Sequence, residues 1–289
     1  MTLSLPDQYA VMGNPIAHSQ SPRIHRLFAA QTGQSLDYHA QLVEPGGFMA
    51  AARAFQAAGG KGLNVTVPFK ADAWVFADIL SARAERAGAV NTLSFGPAGV
   101  RGDNTDGPGL VRDLKINHGY SLVGRRILLL GAGGAARGVL QPLLLEKPAQ
   151  LVIANRTVNK ALELTLRFSD LGPVTGCGLA ELAGRQFHLI INATAAGLSD
   201  AVPPLPEGVL AADGWCYDLM YGHEPTAFVR WGREHGATQS LDGLGMLVEQ
   251  AAESFYLWRG VWPETRPVIE TLRGGATWVK YPFPPLNGQ

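Results

Sequence analysis

Apolar and polar positions alternate along residues 9–95 in a pattern that predicts strands separated by helices. Residues 9–12 form a short apolar run, and residues 36–43 alternate at the two-residue period of a strand. Between them, Ser21-Pro22 reads as a helix start, a hydroxyl cap followed by proline at the first helical position. Ile24, Leu27 and Phe28 then fall on one face. Residues 47–58 predict a helix, 63–67 a strand, 71–87 further helix and 90–95 another strand. Strands alternating with helices predict a largely parallel sheet.

A second unit begins near Asn104. Its strands are predicted at residues 127–130, 151–154, 189–192 and 216–219, each a continuous apolar run of the kind buried on both faces. Residues 245–259 read as a long amphipathic helix that need not belong to the second sheet. The tail from Ala276, with Pro282, Pro284 and Pro285, reads as irregular or extended. No repeat or heptad pattern is present. At 289 residues the chain suits two domains.

Composition narrows the function classes. Hydrophobic residues at 46% and charged residues at 17% suit a globular protein rather than a disordered one. Lys plus Arg equals Asp plus Glu at 24 each, so no net field draws the molecule to nucleic acid or an anionic membrane. A small anionic substrate therefore needs a local site. Two cysteines, Cys177 and Cys216, make neither a disulfide framework nor a Cys-rich zinc site. Residues 1–10 lack a signal-peptide pattern, and the most apolar stretch, 127–136, is too short to span a bilayer. The expectation is a soluble, cytoplasmic protein. HExxH, GxSxG and clustered His/Cys sets are all missing, so no metal is expected. His18 and His25 read as local hydrogen-bonding groups rather than ligands.

Residues 127–130 run into Gly131-Ala-Gly133-Gly134-Ala-Ala136 and then a helix, the G-x-G-x-x-A form of the dinucleotide fingerprint. The first glycine permits the tight turn, the second lets backbone approach a pyrophosphate, and the small last residue lets helix and strand pack closely. The helix start offers unpaired N–H groups to phosphate. NAD sites place an acid about 20 residues on, at the end of the next strand. Here Asn155-Arg156-Thr157 stands in that place, with Lys160 a turn later. A carboxylate there repels a 2′-phosphate, whereas a guanidinium grips it in a fork. NADP is favoured.

Four further segments are dense in polar groups. Ser19 and Ser21 precede a helix and could hold a carboxylate, although a turn residue and a helix cap look the same in sequence. Asn64-Val-Thr66-Val-Pro68-Phe69-Lys70 takes a polar strand to a lysine at the sheet edge where open α/β folds bind ligands. Asn91-Thr92 lies within the predicted 90–95 strand, where a buried amide needs a partner. Asp103-Asn104-Thr105-Asp106 turns into a helix, where either aspartate could be a cap. Together these supply hydroxyls for a carboxylate, amides for ring hydroxyls, and a Lys70–Asp106 pair for the proton that must follow hydride transfer to a ketone.

These strings resemble the shikimate dehydrogenase family. The matches are GNPIAHSQSP, GGKGLNVTVPFK, AGAVNTL, GDNTDG, GAGGAAR, NRT, INAT and DGLGMLVEQAA, in an order that fits over about residues 9–273. The resemblance implies an α/β fold of two domains. An N-terminal substrate domain with a parallel or mixed sheet takes residues 1–104 and 240–289, the C-terminal helices returning to it. A Rossmann-like NADP domain takes residues 105–239. The implied reaction is reversible reduction of 3-dehydroshikimate to shikimate by NADPH, in chorismate and aromatic amino-acid biosynthesis.

By the same resemblance Lys70 and Asp106 are the catalytic pair. Ser19 and Ser21, with Thr66 beside them, hold the substrate carboxylate. Asn64, Asn91 and Gln250 meet the ring hydroxyls, and Tyr221 also lies with the substrate set. Gly131, Gly133, Gly134 and Ala135 form the pyrophosphate loop. Asn155, Arg156, Thr157 and Lys160 clamp the 2′-phosphate, and Thr194, Met220 and Gly243 lie near the nicotinamide. Apart from that small-molecule substrate no partner is implied, neither nucleic acid nor membrane, and a homodimer is allowed.

Three features depart from the family pattern: the spacing of proline after Tyr221, Pro108 in place of an aliphatic residue, and the tail beyond Gly275. The alternative readings are a quinate/shikimate relative of broader substrate or NAD use, and a sensor that kept the fold without catalysis. An acid after Ala154 would favour NAD, and a sensor could dispense with Lys70 or Asp106. The chain has no such acid and keeps both residues.

Overall fold

The computed structural model describes residues 5–194 and 201–274, so the proline-bearing tail lies outside the described residues. The chain divides into two compact units. The first takes the residues up to Tyr120, Arg137–Leu143 and Gly245–Leu272, and the second takes Ser121–Ala136 and Leu144–Leu244.

The first unit runs β1 (Asp7–Gly13), α1 (Ser21–Thr32), β2 (Leu36–Leu42), α2 (Phe48–Ala57), β3 (Gly62–Val65) and α3 (Lys70–Phe76). It continues through β4 (Ile79–Leu80), α4 (Ala82–Ala87), β5 (Thr92–Gly96), β6 (Gly99–Asp103) and α5 (Asp106–Arg112), which passes into a π-helical turn. Its six-stranded sheet has the order β2-β1-β3-β5-β6-β4. β1 is parallel to β2 and β3, but β5 runs antiparallel to both β3 and β6. The sheet is therefore mixed rather than largely parallel. The cause is local: the two-residue link between Gly96 and Gly99 joins β5 to β6 as a hairpin, which only antiparallel strands allow.

The helix predicted across 71–87 is broken in two. Asp78 Oδ2 accepts from the Val100 N–H (2.8 Å), and the Ser81 hydroxyl accepts from the Ala84 N–H to cap α4 (3.2 Å). Such side-chain bonds to backbone compete with a continuous helix. Central β1 is buried on both faces. Ala10 and Met12 join a core with Phe48, Leu63, Val65, Phe69 and Leu93, while Tyr9 and Val11 join Ile16 and Tyr38.

The second unit runs β7 (Arg126–Leu130), α6 (Gly134–Leu145), β8 (Gln150–Ala154), α7 (Val158–Phe168), β9 (Val174–Cys177) and β10 (Phe187–Asn192). β11 (Leu210–Asp218), α8 (Ala227–Glu234) and β12 (Gln239–Leu241) complete it. All pairings are parallel, in the order β12-β11-β10-β7-β8-β9. Numbered within the unit this is the doubly wound order 3-2-1-4-5-6, whose reversal lies beside its first strand, β7. Residues 127–130 and 151–154 are fully buried, as the apolar runs required. The edge strands β9 and β12 are short and carry glycine or polar residues, so no apolar run announced them.

α9 (Leu244–Arg259) and α10 (Arg266–Gly274) close the described chain, most of their length belonging to the first unit. Within that unit the buried Glu249 accepts from Arg112 (3.0 Å), Asn117 (2.9 Å) and Thr265 (2.6 Å). The Trp258 indole N–H donates to the Leu93 carbonyl (3.0 Å), and Arg259 reaches Asp7 and Gln34 (2.5 and 2.8 Å). These contacts fix α9 on the first sheet.

Candidate active site

Lys70 opens α3, directly after Phe69, whose buried ring anchors the turn in the core. Asp106 opens α5, after the two residues Asn104 and Thr105 that follow the hairpin strand β6. Lys70 Nζ donates to Asp106 Oδ2 at 2.5 Å, and the Asn91 amide donates to Asp106 Oδ1 at 2.8 Å. Both carboxylate oxygens are thus held, the aspartate side chain 9% exposed and the lysine 22%. Neither aspartate is a helix cap. Asp103 accepts instead from Ser81 (2.7 Å) and Arg83 (2.6 Å), and Arg83 also bridges to Glu253 (2.9 Å).

Around this pair lies a buried array of amides and hydroxyls. Asn91 sits just ahead of β5, not inside it, and also donates to Thr105 Oγ1 (2.9 Å) and Gln250 Oε1 (3.2 Å), while its own oxygen accepts from the Thr105 N–H (2.9 Å). Asn64, on β3, donates to Thr92 Oγ1 (3.2 Å) and Ser254 Oγ (3.0 Å) and accepts from the Tyr38 hydroxyl (2.8 Å). A buried polar network is tolerable only when its members are satisfied, and this one largely is.

Ser19 and Ser21 flank the end of the β1 loop, the Ser21 N–H reaching Ser19 Oγ at 3.3 Å. Ser21 does not cap α1, because the cap position is Gln20 and no side chain bonds there. Its hydroxyl lies beside the Tyr38 phenol, whose pKa burial drives far upward against that hydroxyl's opposing pull. Thr66 lies alongside the same loop, its N–H bonded to the Met12 carbonyl (3.0 Å). The first unit thereby brings together Ser19, Ser21, Asn64, Thr66, Lys70, Asn91, Asp106 and Gln250.

In the second unit Gly131 follows β7, held at φ 101° with its N–H on the Ala154 carbonyl of β8 (2.8 Å). That conformation, and a Cβ position 3.0 Å from the Ala193 oxygen, require glycine. Gly133 differs: a Cβ there would meet nothing within 4 Å. Nothing in the protein's own packing demands glycine at that position, which fits a loop left bare for a pyrophosphate. Gly134 and Ala135 follow at the start of α6, and Ala135 is exposed.

β8 ends without an acid. Asn155 folds back to the Thr157 carbonyl (2.8 Å), and Arg156 and Lys160 are exposed, neither in an ion pair among the described residues. This donor set fits a 2′-phosphate. Thr194 abuts Gly131, and the Gly243 N–H donates to the Met220 carbonyl (2.9 Å). Beside them Asp218 accepts from Thr226 (2.6 Å), the Met220 N–H and Asn192 (3.1 Å each). Burial outweighs these bonds and pushes its carboxyl up to about 6. Tyr221 stands next to Met220 in this unit rather than with the other substrate residues in the first.

Tyr38, Thr105 and Ser254 are network members that sequence reasoning did not single out. Ser254 had a usable signal, since it lies one helical turn from Gln250 on α9. His25 needs a correction. It is fully buried, and neither ring nitrogen finds a hydrogen-bond partner among the described residues.

A doubly wound sheet with this glycine turn, together with a separate unit carrying a Lys–Asp pair among hydroxyls and amides, defines a dinucleotide-dependent dehydrogenase. The comparisons are more specific. Family models match residues 11–93 (shikimate dehydrogenase substrate binding domain), 114–199 (shikimate/quinate 5-dehydrogenase) and 243–273 (shikimate 5′-dehydrogenase C-terminal domain). The NADP(+) shikimate dehydrogenase of Methylococcus capsulatus is 64% identical over 93% of this chain and 97% of its own. An Ael1 enzyme from Pseudomonas putida is 46% identical with a TM-score of 0.86, covering 92% of this chain and 98% of its own. Shikimate 5-dehydrogenase from Thermus thermophilus, solved with NADP(H) and shikimate, is 32% identical with a TM-score of 0.83, over 92% and 98%. The chain belongs to the shikimate dehydrogenase family.

Proposed function

We propose that the chain reversibly reduces 3-dehydroshikimate to shikimate with NADPH, the Lys70–Asp106 pair handling the proton. The observation that carries this reading is the 2.5 Å contact between Lys70 Nζ and Asp106 Oδ2 inside a buried hydroxyl and amide array. NADPH supplies the hydride. As negative charge develops on the ketone oxygen, the Lys70 ammonium stabilises it and donates the proton, and in the reverse direction Lys70 takes that proton from the hydroxyl. Asp106 holds the ammonium in place and is itself held by Asn91.

In the same proposal residues 1–104 and 240–289 form the substrate domain and 105–239 the NADP domain. Ser19, Ser21 and Thr66 take the carboxylate, Asn64, Asn91 and Gln250 the ring hydroxyls, and Tyr221 the substrate's edge. Gly131, Gly133, Gly134 and Ala135 cradle the pyrophosphate. Asn155, Arg156, Thr157 and Lys160 read the 2′-phosphate, and Thr194, Met220 and Gly243 meet the nicotinamide. A cytoplasmic location belongs to the proposal too, supported by two buried free thiols, Cys177 and Cys216, and by the lack of any membrane-length apolar helix among the described residues. Light scattering separates a monomer from the homodimer the proposal allows.

The test is nicotinamide absorbance during turnover of shikimate and of quinate, each offered NADP and NAD. Preference for shikimate with NADP supports the proposal. Preference for NAD, or no turnover of shikimate, overturns it.

A further inference from the structure

Asn192 closes β10 and Asp218 closes β11, and the two are partners in the parallel register. Both are fully buried. Each side chain accepts the backbone N–H two residues further on: Asn192 Oδ1 takes that of Thr194 (3.2 Å), and Asp218 Oδ1 takes that of Met220 (3.1 Å). These are paired Asx turns, in which a side chain bonds the backbone just past the end of a strand. A single bond joins them, from Asn192 Nδ2 to Asp218 Oδ1 (3.1 Å). The amide therefore sits only one way. Its nitrogen faces the carboxylate, and its oxygen faces the Thr194 N–H and the Thr194 hydroxyl (2.7 Å).

The second carboxylate oxygen, Asp218 Oδ2, accepts from the Thr226 hydroxyl at the start of α8 (2.6 Å). Met220 is gripped on its other side as well, its carbonyl accepting from the Gly243 N–H (2.9 Å). Two strands can end without an acid, and a buried carboxylate that lacks a cation is costly. Asp218 has neutral donors alone among the described residues: Asn192, Met220 and Thr226. Bonds to a carboxylate are about twice as strong as neutral ones, so the acid secures the turns more firmly than an amide could. We propose that Asn192 and Asp218 are positioning residues for the cofactor: acting through Thr194 and Met220, they fix the ends of β10 and β11 in the shape that receives the nicotinamide half. This rests on the reading of Thr194 and Met220 as nicotinamide neighbours. The phosphate-reading groups on β8 take no part in the arrangement, so the adenosine half of the cofactor is insensitive to it.

The test is calorimetric titration of the whole protein with NADPH and with adenosine 2′,5′-bisphosphate, which keeps the 2′-phosphate and lacks the nicotinamide. The proteins compared are wild type, Asp218→Ala, Asp218→Asn, Asn192→Ala and the double variant Thr194→Ala/Met220→Ala. In Asp218→Ala the Kd for NADPH is expected to rise about 10-fold, the scale of a hydrogen bond to a charged group, while the Kd for the bisphosphate stays within about 2-fold. Asp218→Asn keeps the oxygen that Asn192 and Met220 share, and the Thr226 hydroxyl can turn to accept from its new N–H, so it recovers most of the loss. A purely structural role would weaken both ligands together, and that outcome overturns the inference. Should Asp218→Ala fail to fold, Asn192→Ala decides by the same split, with an expected rise of about 3-fold for NADPH alone. If Asp218→Ala binds NADPH like wild type while the Thr194/Met220 double variant binds it more weakly, the inference is overturned and the reading of those two neighbours stands. If all variants bind NADPH like wild type, that reading fails and the inference falls with it.

Discussion

In the first unit the groups assigned to the substrate are already bonded to one another, whereas in the second those assigned to the cofactor stand largely bare. Asp106, Asn91 and Asn64 are each at most 6% exposed, with several hydrogen bonds apiece. Arg156 and Lys160 are exposed, and Gly133 faces open space. The contrast follows from what each site must do. A site that stabilises developing charge needs dipoles fixed before the reaction, so its residues are buried and hold one another in place. A site for a large anionic ligand needs N–H groups and bases that lose little on waiting in water, and the ligand completes it. Substitutions should therefore act differently in the two regions.

The largest effect is expected in the buried region. Lys70→Ala or Asp106→Ala should lower kcat about 100-fold or more, with a smaller change in KM, in steady-state assays. Near wild-type turnover in either would remove that residue from proton transfer. Next comes Arg156→Ala, which should weaken NADPH by about 10-fold or more, the scale of a charge-assisted bond to phosphate, and leave NADH almost untouched. Equal losses for both cofactors would show that Arg156 does not read the 2′-phosphate.

A matched pair of glycines sharpens the contrast. Gly133→Ala should leave the ligand-free protein within about 0.5 kcal/mol of wild type while raising KM for NADPH. At Gly243 a methyl would press on the Leu219 backbone carbonyl, so Gly243→Ala should destabilise the fold by about 1–3 kcal/mol. Equal thermal midpoints for the two variants would erase the distinction.

The smallest effect concerns pH. Asp218 has its carboxyl raised from 3.8 to about 6 by burial, so the folded state binds its proton more tightly than the unfolded state. That contribution is fully present below about pH 4 and is lost as pH rises to about 6. Asp218→Asn lacks it, so the variant should gain on wild type across that window and keep a constant gap above it, as read from thermal midpoints. A gap that does not change with pH would show that Asp218 titrates normally.

Much of this was legible in the sequence, and the reasons differ by region. The glycine turn is local: strand, turn and helix are contiguous, and residues 127–130 announce a strand buried on both faces. Lys70 and Asp106 were legible as chemistry, since polar strings such as NVTVPFK and GDNTDG have no obvious scaffold use. Their pairing was expected on chemical grounds, but its 2.5 Å geometry could not be read from the sequence, because 36 residues separate them and only the sheet order closes that gap. The strand and helix pattern alone pointed to a largely parallel sheet because no apolar run marks β6 (GVRGD), the strand that makes the hairpin with β5; the mixed alternative came only from the resemblance. Ser21 looked like a cap, since a hydroxyl before proline has the same spacing whether it caps or recognises a ligand. Tyr38 is apolar by pattern, and its hydroxyl acquires meaning only when the sheet sets β2 and β3 on either side of β1, within reach of Asn64.

The most direct test of the account is single-turnover reduction of 3-dehydroshikimate by Lys70→Ala enzyme preloaded with NADPH, followed by loss of nicotinamide absorbance. The account predicts that the variant folds, binds both ligands and transfers hydride about 100-fold or more slowly than wild type. Hydride transfer at the wild-type rate would contradict it.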